Sequence, residues 1–275
     1  MMISTFETID RRVLGAIRLI DITTGLPIRA PLRVEAAGLD LRRNRRGDFV
    51  IWRAAGLETH SQAFDAPPAA PPSGALTFDL RITDPAGNYL PRRSALALPR
   101  SADPDAPDSF FTPAPIALFP APAAHTESSW AVIRGTVRQS GTRARLPWAL
   151  IRVLHATKDT ILASGLADAR GEALVAVPGI LITMPADDGG PVLTTELAVK
   201  LTVSFDGAGL RKLSDEDLAA GAQDPNLNFV PDPDALGALA SHAAQIQASG
   251  EPALSATGKL AAGRTLVANV LVTLS

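Results

Sequence analysis

The stretch "IRGTVRQSGTRARLPWALIRVLHATKDTILASGLADARGEALVAVPGI", residues 133–180, decides the fold. Apolar and β-branched residues alternate with polar residues in four short runs, which is the period of a half-buried strand. Turn-forming residues separate the runs, notably Gly141 and the sequence Asp-Ala-Arg-Gly at 168–171. The pattern predicts four β-strands that belong to one β-sandwich.

An earlier part of the chain shows the same features in the same order. Residues 13–34, "VLGAIRLIDITTGLPIRAPLRV", match residues 132–153, "VIRGTVRQSGTRARLPWALIRV", with Gly15 opposite Gly135. Three later pairs of segments also correspond: 45–47 with 169–171, 76–87 with 197–209, and 89–99 with 264–274. Because the matches keep one order, they predict a duplicated module.

We therefore expect a mainly β protein with two Ig-like or prealbumin-like antiparallel β-sandwiches in tandem, at 1–100 and 126–275. The segment 101–125 contains six prolines and is predicted to be a linker. The first module is predicted to have strands at 12–20, 31–38, 48–53, 76–83 and 93–99. The second is predicted to have strands at 130–138, 147–156, 161–167, 172–177, 195–205 and 264–274.

The second module carries an insertion, at about 207–262, that is predicted to be helical. Ser214 and Asp217 have the spacing of a capping box. Asp232 and Pro233 are typical of the start of a second helix. The apolar side chains of that second helix form one narrow stripe: Leu236, Leu239, Ala243 and Ile246. The stripe fits a sheet of the same chain or a neighbouring subunit, so Leu236 and Leu239 are candidate partner contacts.

Composition excludes several classes of protein. The chain has no cysteine, which rules out disulfides and cysteine-ligated metal sites. Its net charge of −2 gives no basic footprint for nucleic acid. The N-terminal residues lack the pattern of a signal peptide, and the apolar runs are too short to enter a bilayer as a span. We expect a protein that is cytoplasmic when synthesised and leaves the cell only by lysis or within a larger released particle.

The sequence carries no recognisable catalytic or metal-binding motif. The four histidines lie at least 30 residues apart along the chain, so no motif that contributes two histidines to a zinc site is present. No nucleophile elbow, P-loop or dinucleotide-binding glycine motif follows a predicted strand. We therefore expect no enzyme activity, no cofactor and no metal site.

Two further groups of residues are candidate contacts to partner proteins. The stretch "RRNRRGD" at 42–48 lies in a predicted hairpin loop and is the densest basic patch of the chain. It is either a solvated loop or a contact to an acidic partner surface, made by Arg42, Arg43, Arg45 and Arg46. The second half of the linker is more apolar than a solvated segment needs. Its candidate contacts, Phe110, Phe111 and Phe119, dock either onto a partner or onto the protein's own second sandwich.

Trp52, Trp130 and Trp148 lie in or beside predicted strands. Exposed tryptophans on a sandwich suit stacking against a glycan, whereas buried ones suit core or interdomain packing. An exposed Trp52 or Trp148 would favour a glycan- or surface-binding module.

Residues 133–180 resemble the carboxypeptidase regulatory-like domain, a prealbumin-like (transthyretin-like) β-sandwich. The resemblance rests on Gly135-Thr136-Val137, Ala149–Val153, Asp168-Ala169-Arg170-Gly171 and Pro178-Gly179. Residues 13–53 match more loosely, since Asn44 stands where an aspartate is expected and the Pro-Gly is missing. The resemblance implies a non-catalytic accessory module, so no catalytic residues carry over.

Two such modules without an enzyme domain are also similar to accessory structural proteins of contractile, phage-tail-like injection particles. Together these features predict a non-catalytic structural or adaptor subunit of a macromolecular assembly. Its partners would be protein subunits, including other copies of itself, with no nucleic acid and no membrane insertion. The alternative is the glycan- or surface-binding module.

Overall fold

The computed structural model describes residues 13–63, 67–180, 182–183, 193–219 and 226–274, and this part of the chain is mainly β. The strands are β1 Gly15–Asp21, β2 Arg33–Ala36, β3 Leu39–Arg43, β4 Phe49–Ala54, β5 Leu76–Thr83, β6 Arg92–Leu98, β7 Ala114–Leu118, β8 Ala131–Gln139, β9 Leu150–His155, β10 Ile161–Leu166, β11 Glu172–Val177, β12 Ile182–Thr183, β13 Leu193–Thr194, β14 Leu197–Ser204, β15 His242–Ala248, β16 Gly258–Leu260 and β17 Thr265–Val272. The helices of the described residues are α1 Glu58–Gln62, α2 Asp215–Ala219 and α3 Pro233–Ala238.

The first β body, residues 13–118, consists of two sheets that share one apolar core. One sheet has the order β3-β4-β1-β7 and the other the order β2-β5-β6. In β5 the buried Phe78, Leu80 and Ile82 alternate with exposed Asp79 and Arg81, as expected for a strand with one wet face. Side chains from both sheets therefore meet in the same core.

The second β body, residues 131–274, is built on one long sheet that nearly closes on itself. Its order is β10-β9-β14-β15-β17-β8-β11, with β16 paired to part of β14. The two end strands meet at a bridge between Ala167 and Ala173. A Cβ on Gly165 would lie 2.5 Å from Cγ2 of Val175, so a glycine is needed where β10 approaches β11. This body is thus a barrel-like sheet rather than the two separate sheets expected of a sandwich.

Both bodies pair their strands in a common pattern. The first strand of each pairs antiparallel with one neighbour and parallel with the other: β1 with β4 and β7, and β8 with β11 and β17. The series β2-β5-β6 is likewise matched by β9-β14-β15. One strand has a different partner, because β3 joins β4 whereas β10 joins β9. The bodies also differ in their sheets, since β15 pairs with β17 in the second body whereas β6 and β7 belong to separate sheets in the first.

The register of this match differs from the one predicted. Ile17 pairs with Phe49 and Ala114, and Gly135 occupies the same place between Ala173 and Ala268. Ile17 is therefore the counterpart of Gly135, two residues away from the predicted match of Gly15 with Gly135. The predicted match aligned Gly15 with Gly135 because both are glycines, although the two backbone positions require a glycine for different reasons.

Strand β7 corrects the predicted boundary between the modules. Residues 114–118 were assigned to the linker, but they lie parallel to β1 and bury Ile116 and Leu118 in the first core. The counterpart of 264–274 is therefore β7, and 89–99 corresponds instead to β15. The first body ends near Leu118 rather than at residue 100, so the linking segment begins only at Phe119.

The predicted helical insertion is only partly helical. The capping box forms at α2, where Ser214 Oγ accepts from the backbone N–H of Asp217 at 3.0 Å. At α3, Asp232 accepts from the N–H groups of the first turn. This second helix ends at Ala238, however, and residues 242–248 form β15 between β14 and β17. The sequence Ala-Gln-Ile-Gln-Ala has the period of a strand, and pairing on both sides outweighs its alanine content.

The predicted loop at 38–48 also contains a strand. β3 is an edge strand that pairs with β4 through an irregular register between Asp40 and Leu41. Charged side chains and a bulge are the usual protection of an edge strand against pairing with other chains. Alternation was hard to see in the sequence because Arg42 and Arg43 follow each other.

A substitution at Gly135 tests the close contact between β8 and β17. A Cβ at this position would lie 1.8 Å from the carbonyl oxygen of Ala268, so Gly135→Ala must push two paired strands apart. We expect the free energy of unfolding to fall by about 1–3 kcal/mol, measured by urea denaturation. Gly207→Ala is the control, because its Cβ would meet only the side chain of Phe205 at 3.3 Å. Equal stability of the two variants would contradict the tight β8–β17 contact.

Candidate functional site

The two bodies meet at an apolar cluster, which we call the junction. The first body and the linking segment contribute Leu90 and Phe119, and the second body contributes Trp148, Leu166 and Leu236. Each of these side chains is less than a tenth exposed. Burial of this kind is the dominant stabilising contribution to contact between domains. The junction therefore holds the bodies together as parts of one packed structure.

An ion pair with one buried and one exposed partner lies beside the junction: Arg92 is buried, whereas the Asp234 side chain is 68% exposed. Arg92, on β6, is 2% exposed and donates to the carboxylate of Asp234 in the first turn of α3. Ser94 Oγ donates to the same carboxylate at 3.2 Å, and the backbone N–H of Arg93 donates to the Pro231 carbonyl at 2.6 Å. Burial lowers the pKa of Arg92, although the charge of Asp234 opposes this shift.

The segment after β7 is fixed to the second body by its backbone. The Arg134 guanidinium donates to the carbonyl oxygens of Pro122 and Ala124. The N–H of Ala121 donates to the carbonyl of Asn88 at 2.8 Å, which ties the same segment to the first body. The link between the bodies is thus part of the packed structure rather than a solvated tether.

The basic turn lies between β3 and β4, and side chains other than arginine build it. Asn44 Oδ1 accepts from the N–H groups of Arg46 and Asp48, both at 2.9 Å. The buried Asp48 carboxylate in turn accepts from Arg18 Nε at 2.7 Å. These hydrogen bonds from Arg18 hold the pKa of Asp48 below its usual range. Gly47 completes the turn with a φ of +93°.

The second body repeats this turn with the same geometry. Asp168 Oδ1 accepts from the N–H groups of Arg170 at 2.8 Å and Glu172 at 2.9 Å, and Gly171 has a φ of +78°. Asn44 therefore has the same role in the first body as Asp168 in the second, because both place one acceptor oxygen at the same position of the turn. The half-buried Asp168 has a raised pKa, since desolvation outweighs the effect of the N–H groups from which its carboxylate accepts hydrogen bonds.

The four arginines of the basic turn have different surroundings. Arg43 is structural: its Nη2 donates to the Arg29 carbonyl at 3.0 Å. The guanidinium of Arg42 lies 5.7 Å from the ring centre of Trp52. Arg45 and Arg46 are exposed, and within the described residues neither guanidinium has a hydrogen bond or ion pair. Of the four predicted contact residues, these two are free to bind a partner.

The predicted apolar contacts do not lie together. Phe111 is 60% exposed on the loop between β6 and β7, and its ring stacks 4.1 Å from that of Phe110. Phe119 and Leu236 are buried in the junction, so they contact the other body of the same chain rather than a partner. Leu239 is 44% exposed just after α3. They are separated because strand β7 runs between Phe111 and Phe119 and therefore places Phe110 and Phe119 at opposite ends of the strand.

The tryptophans have three different environments. Trp148 is 3% exposed, and its indole N–H donates to the Asn226 carbonyl at 3.2 Å. The indole nitrogen of Trp52 is also buried, without a hydrogen-bond partner in the described part of the chain. Trp148 therefore fits interdomain packing and not an exposed glycan platform. Trp130 is half-buried and borders an open cleft. Trp148 lines a second cleft, beside α3, although little of its surface is exposed.

Within the described ranges, no group of three or more His, Asp and Glu side chains could hold a metal ion. No helix in those ranges is long and apolar enough to cross a membrane. Comparisons with protein-family models, with curated proteins and with solved structures found no match to this chain.

The ion pair at the junction can be tested against an exposed one. Asp234→Asn keeps the size of the side chain but leaves the buried Arg92 without its counter-charge. We expect a loss of about 1–2 kcal/mol in the free energy of unfolding, because Arg92 is buried while water partly screens the exposed Asp234. The control is Asp79→Asn, which breaks an exposed pair with Arg93 and should cost about 0–1 kcal/mol. Urea denaturation measures both variants, and equal losses would show that the junction does not depend on this pair.

Proposed function

We propose that this chain is a non-catalytic structural or adaptor subunit of a macromolecular assembly and that it acts through protein–protein contacts. The observation that carries the proposal is the pair Arg45 and Arg46. Both guanidinium groups are exposed and unpaired within the described residues, on a turn held by the hydrogen bonds of Asn44 and Asp48. A fixed turn lowers the entropy cost of binding, because little backbone freedom remains to be lost.

Arginine suits this role because its planar guanidinium binds carboxylates in a bidentate manner. The chemistry of the turn therefore favours an acidic protein surface as the partner. The neighbouring edge of β3 carries charge and an irregular register, which disfavours recruitment of a partner strand there. Side-chain contacts of the turn thus support the proposal better than β-strand addition does.

The finer description of the fold is also a proposal. We interpret the two bodies as diverged copies of a carboxypeptidase regulatory-like, prealbumin-like β-sandwich. The matched turns at Asn44 and Asp168 and the common strand pairing support this interpretation. The near closure of the second sheet departs from a plain sandwich.

The setting of the assembly is the most specific part of the proposal. Two accessory modules fixed to each other would suit a subunit of a contractile, phage-tail-like injection particle, including contacts between copies of the chain. Support comes from the junction, since a subunit that transmits load needs bodies that stay in place. The proposal of protein contacts stands even if the assembly is of another kind.

A charge reversal in the basic turn tests the contact. We expect the wild-type protein in an extract of its native host to sediment with other subunits, well above its mass of 28.7 kDa. Arg46→Glu should shift the protein toward the monomer fraction, because it places a like charge against an acidic partner. Arg170→Glu is the matched control, since it changes the same charge on the equivalent turn of the second body.

Thermal melting of both variants establishes that they are folded. Sedimentation of the wild-type protein as a free monomer would contradict the proposed assembly. Equal sedimentation of Arg46→Glu and Arg170→Glu would instead exclude the basic turn as the contact. Raising the salt concentration should weaken the wild-type complex, because exposed ion pairs are screened.

A further inference from the structure

A cleft of about 270 Å³ lies where the two bodies and the linking segment meet, and we call it the junction cleft. The first body contributes Asp21, Asn88 and Tyr89, and the second contributes Leu174 and Ala176. The linking segment contributes the remaining wall: Pro120, Ala124, His125, Thr126 and Trp130. The cleft exists only because both bodies are held together, so neither module could form it alone.

The floor of the junction cleft is apolar and well supported. Leu174 and Ala176 project outward from β11 and are 1% and 3% exposed, and the half-buried Trp130 packs against them. Pro120 and Ala124 lie beside them. A small apolar floor of this kind favours the C–H face of a ligand over water.

Polar side chains with unused hydrogen-bonding groups surround this floor. Within the described residues, the side chains of Asn88, His125 and Thr126 and the indole N–H of Trp130 have no hydrogen-bond partner. An amide, an imidazole and a hydroxyl can each both donate and accept. Such groups suit a ligand with hydroxyl groups, because a hydroxyl also both donates and accepts hydrogen bonds.

One wall of the cleft is already fixed. The Tyr89 hydroxyl donates to Asp21 Oδ2 at 2.8 Å, and Asp21 Oδ1 accepts from the N–H groups of Thr23 and Thr24. Burial and the neighbouring Asp21 charge raise the pKa of Tyr89, so the phenol stays protonated and keeps this bond. The carboxylate therefore holds the tyrosine ring in place at the edge of the cleft.

The charge and size of the junction cleft narrow the class of ligand. Its lining contains Asp21 but no lysine or arginine, which disfavours phosphate groups and other anions. Its volume is just below the range of about 300–1,000 Å³ that drug-sized ligands occupy. An apolar floor with an aromatic ring and a rim of hydroxyl-matching groups fits a small neutral sugar.

We propose that the junction cleft binds one or two sugar units, with a pyranose C–H face on Trp130 and its hydroxyls on Asn88, His125 and Thr126. This site differs from the Trp52 or Trp148 platform, because Trp148 is buried and the Arg42 guanidinium lies over the Trp52 ring. The proposal does not rest on the assembly role, because the cleft lies apart from Arg45 and Arg46 and has its own ligand.

The test uses the three tryptophans of the full-length chain as reporters. The protein is labelled with 5-fluorotryptophan, and Trp→Phe variants assign the three fluorine resonances. Cellobiose, maltose, lactose, mannobiose and chitobiose are titrated separately at millimolar concentration, with lysine amide as a cationic probe. We expect at least one sugar to shift the Trp130 resonance in a saturable manner while the Trp148 resonance stays in place.

Two substitutions then assign the contact. Asn88→Ala should weaken the binding of that sugar about five-fold, the effect of one hydrogen bond. Gln245→Ala, an exposed amide on β15 far along the chain, should leave binding unchanged. Asn88 is exposed and its backbone makes the structural contacts, so its truncation keeps the fold.

Three outcomes would overturn the proposal: no sugar moves the Trp130 resonance, only the cationic probe moves it, or Asn88→Ala binds as tightly as Gln245→Ala. The sedimentation of the native complex is unaffected by any of these results. Failure of the sugar site and failure of the assembly role are therefore distinguished.

Discussion

In each body the last strand returns to lie parallel to the first, and the rest of the molecule depends on this pairing. Parallel neighbours cannot be joined by a tight hairpin, so the chain must cross the body before it returns. In the first body this crossing ends with Leu118 opposite Asp21. Phe119 and Ile22 then leave adjacent strands at the same end of the sheet, and both pack in the junction.

The junction follows from that geometry. Because β7 stops beside the end of β1, the linking segment starts against the second body and has no length to spare. Trp148 and Leu166 cover Phe119 there, and Arg92 meets Asp234 at the border of the apolar contact. A buried arginine is costly unless its charge is matched, so this pair fixes one relative placement of the bodies better than apolar contact alone. The junction cleft is the space that this placement leaves open.

The sequence predicted the parts of the fold that depend on local pattern. Most strands of both bodies, the capping box at Ser214 and the helix start at Asp232 were predicted because alternation and capping are visible over a few residues. Among the strands that it did not predict, β7 and β15 adopt this structure only through pairing with neighbours distant in the chain. Prolines at 113 and 115 favoured a linker, yet an edge position beside β1 tolerates them.

The candidate contact residues also differ in whether their environment depends on local pattern or on distant strand pairing. Their exposure depends on where β7 runs, and no local pattern reports that. The sequence therefore left Phe119 and Leu236 open between a partner and the protein's own sheets, and the junction buries both within the chain. The basic turn was easier to predict, because the residues that build its backbone make no hydrogen bond to the side chains of Arg45 and Arg46. Asn44 accepts hydrogen bonds from the backbone of the turn, and Gly47 allows its conformation. The Asp48 carboxylate pairs with Arg18, which lies outside the turn. Arg45 and Arg46 make no hydrogen bond or ion pair within the described residues, although the charge of Arg46 helps to lower the pKa of Asp48. Two exposed charges on a fixed backbone are the feature on which the proposed contact with an acidic partner rests.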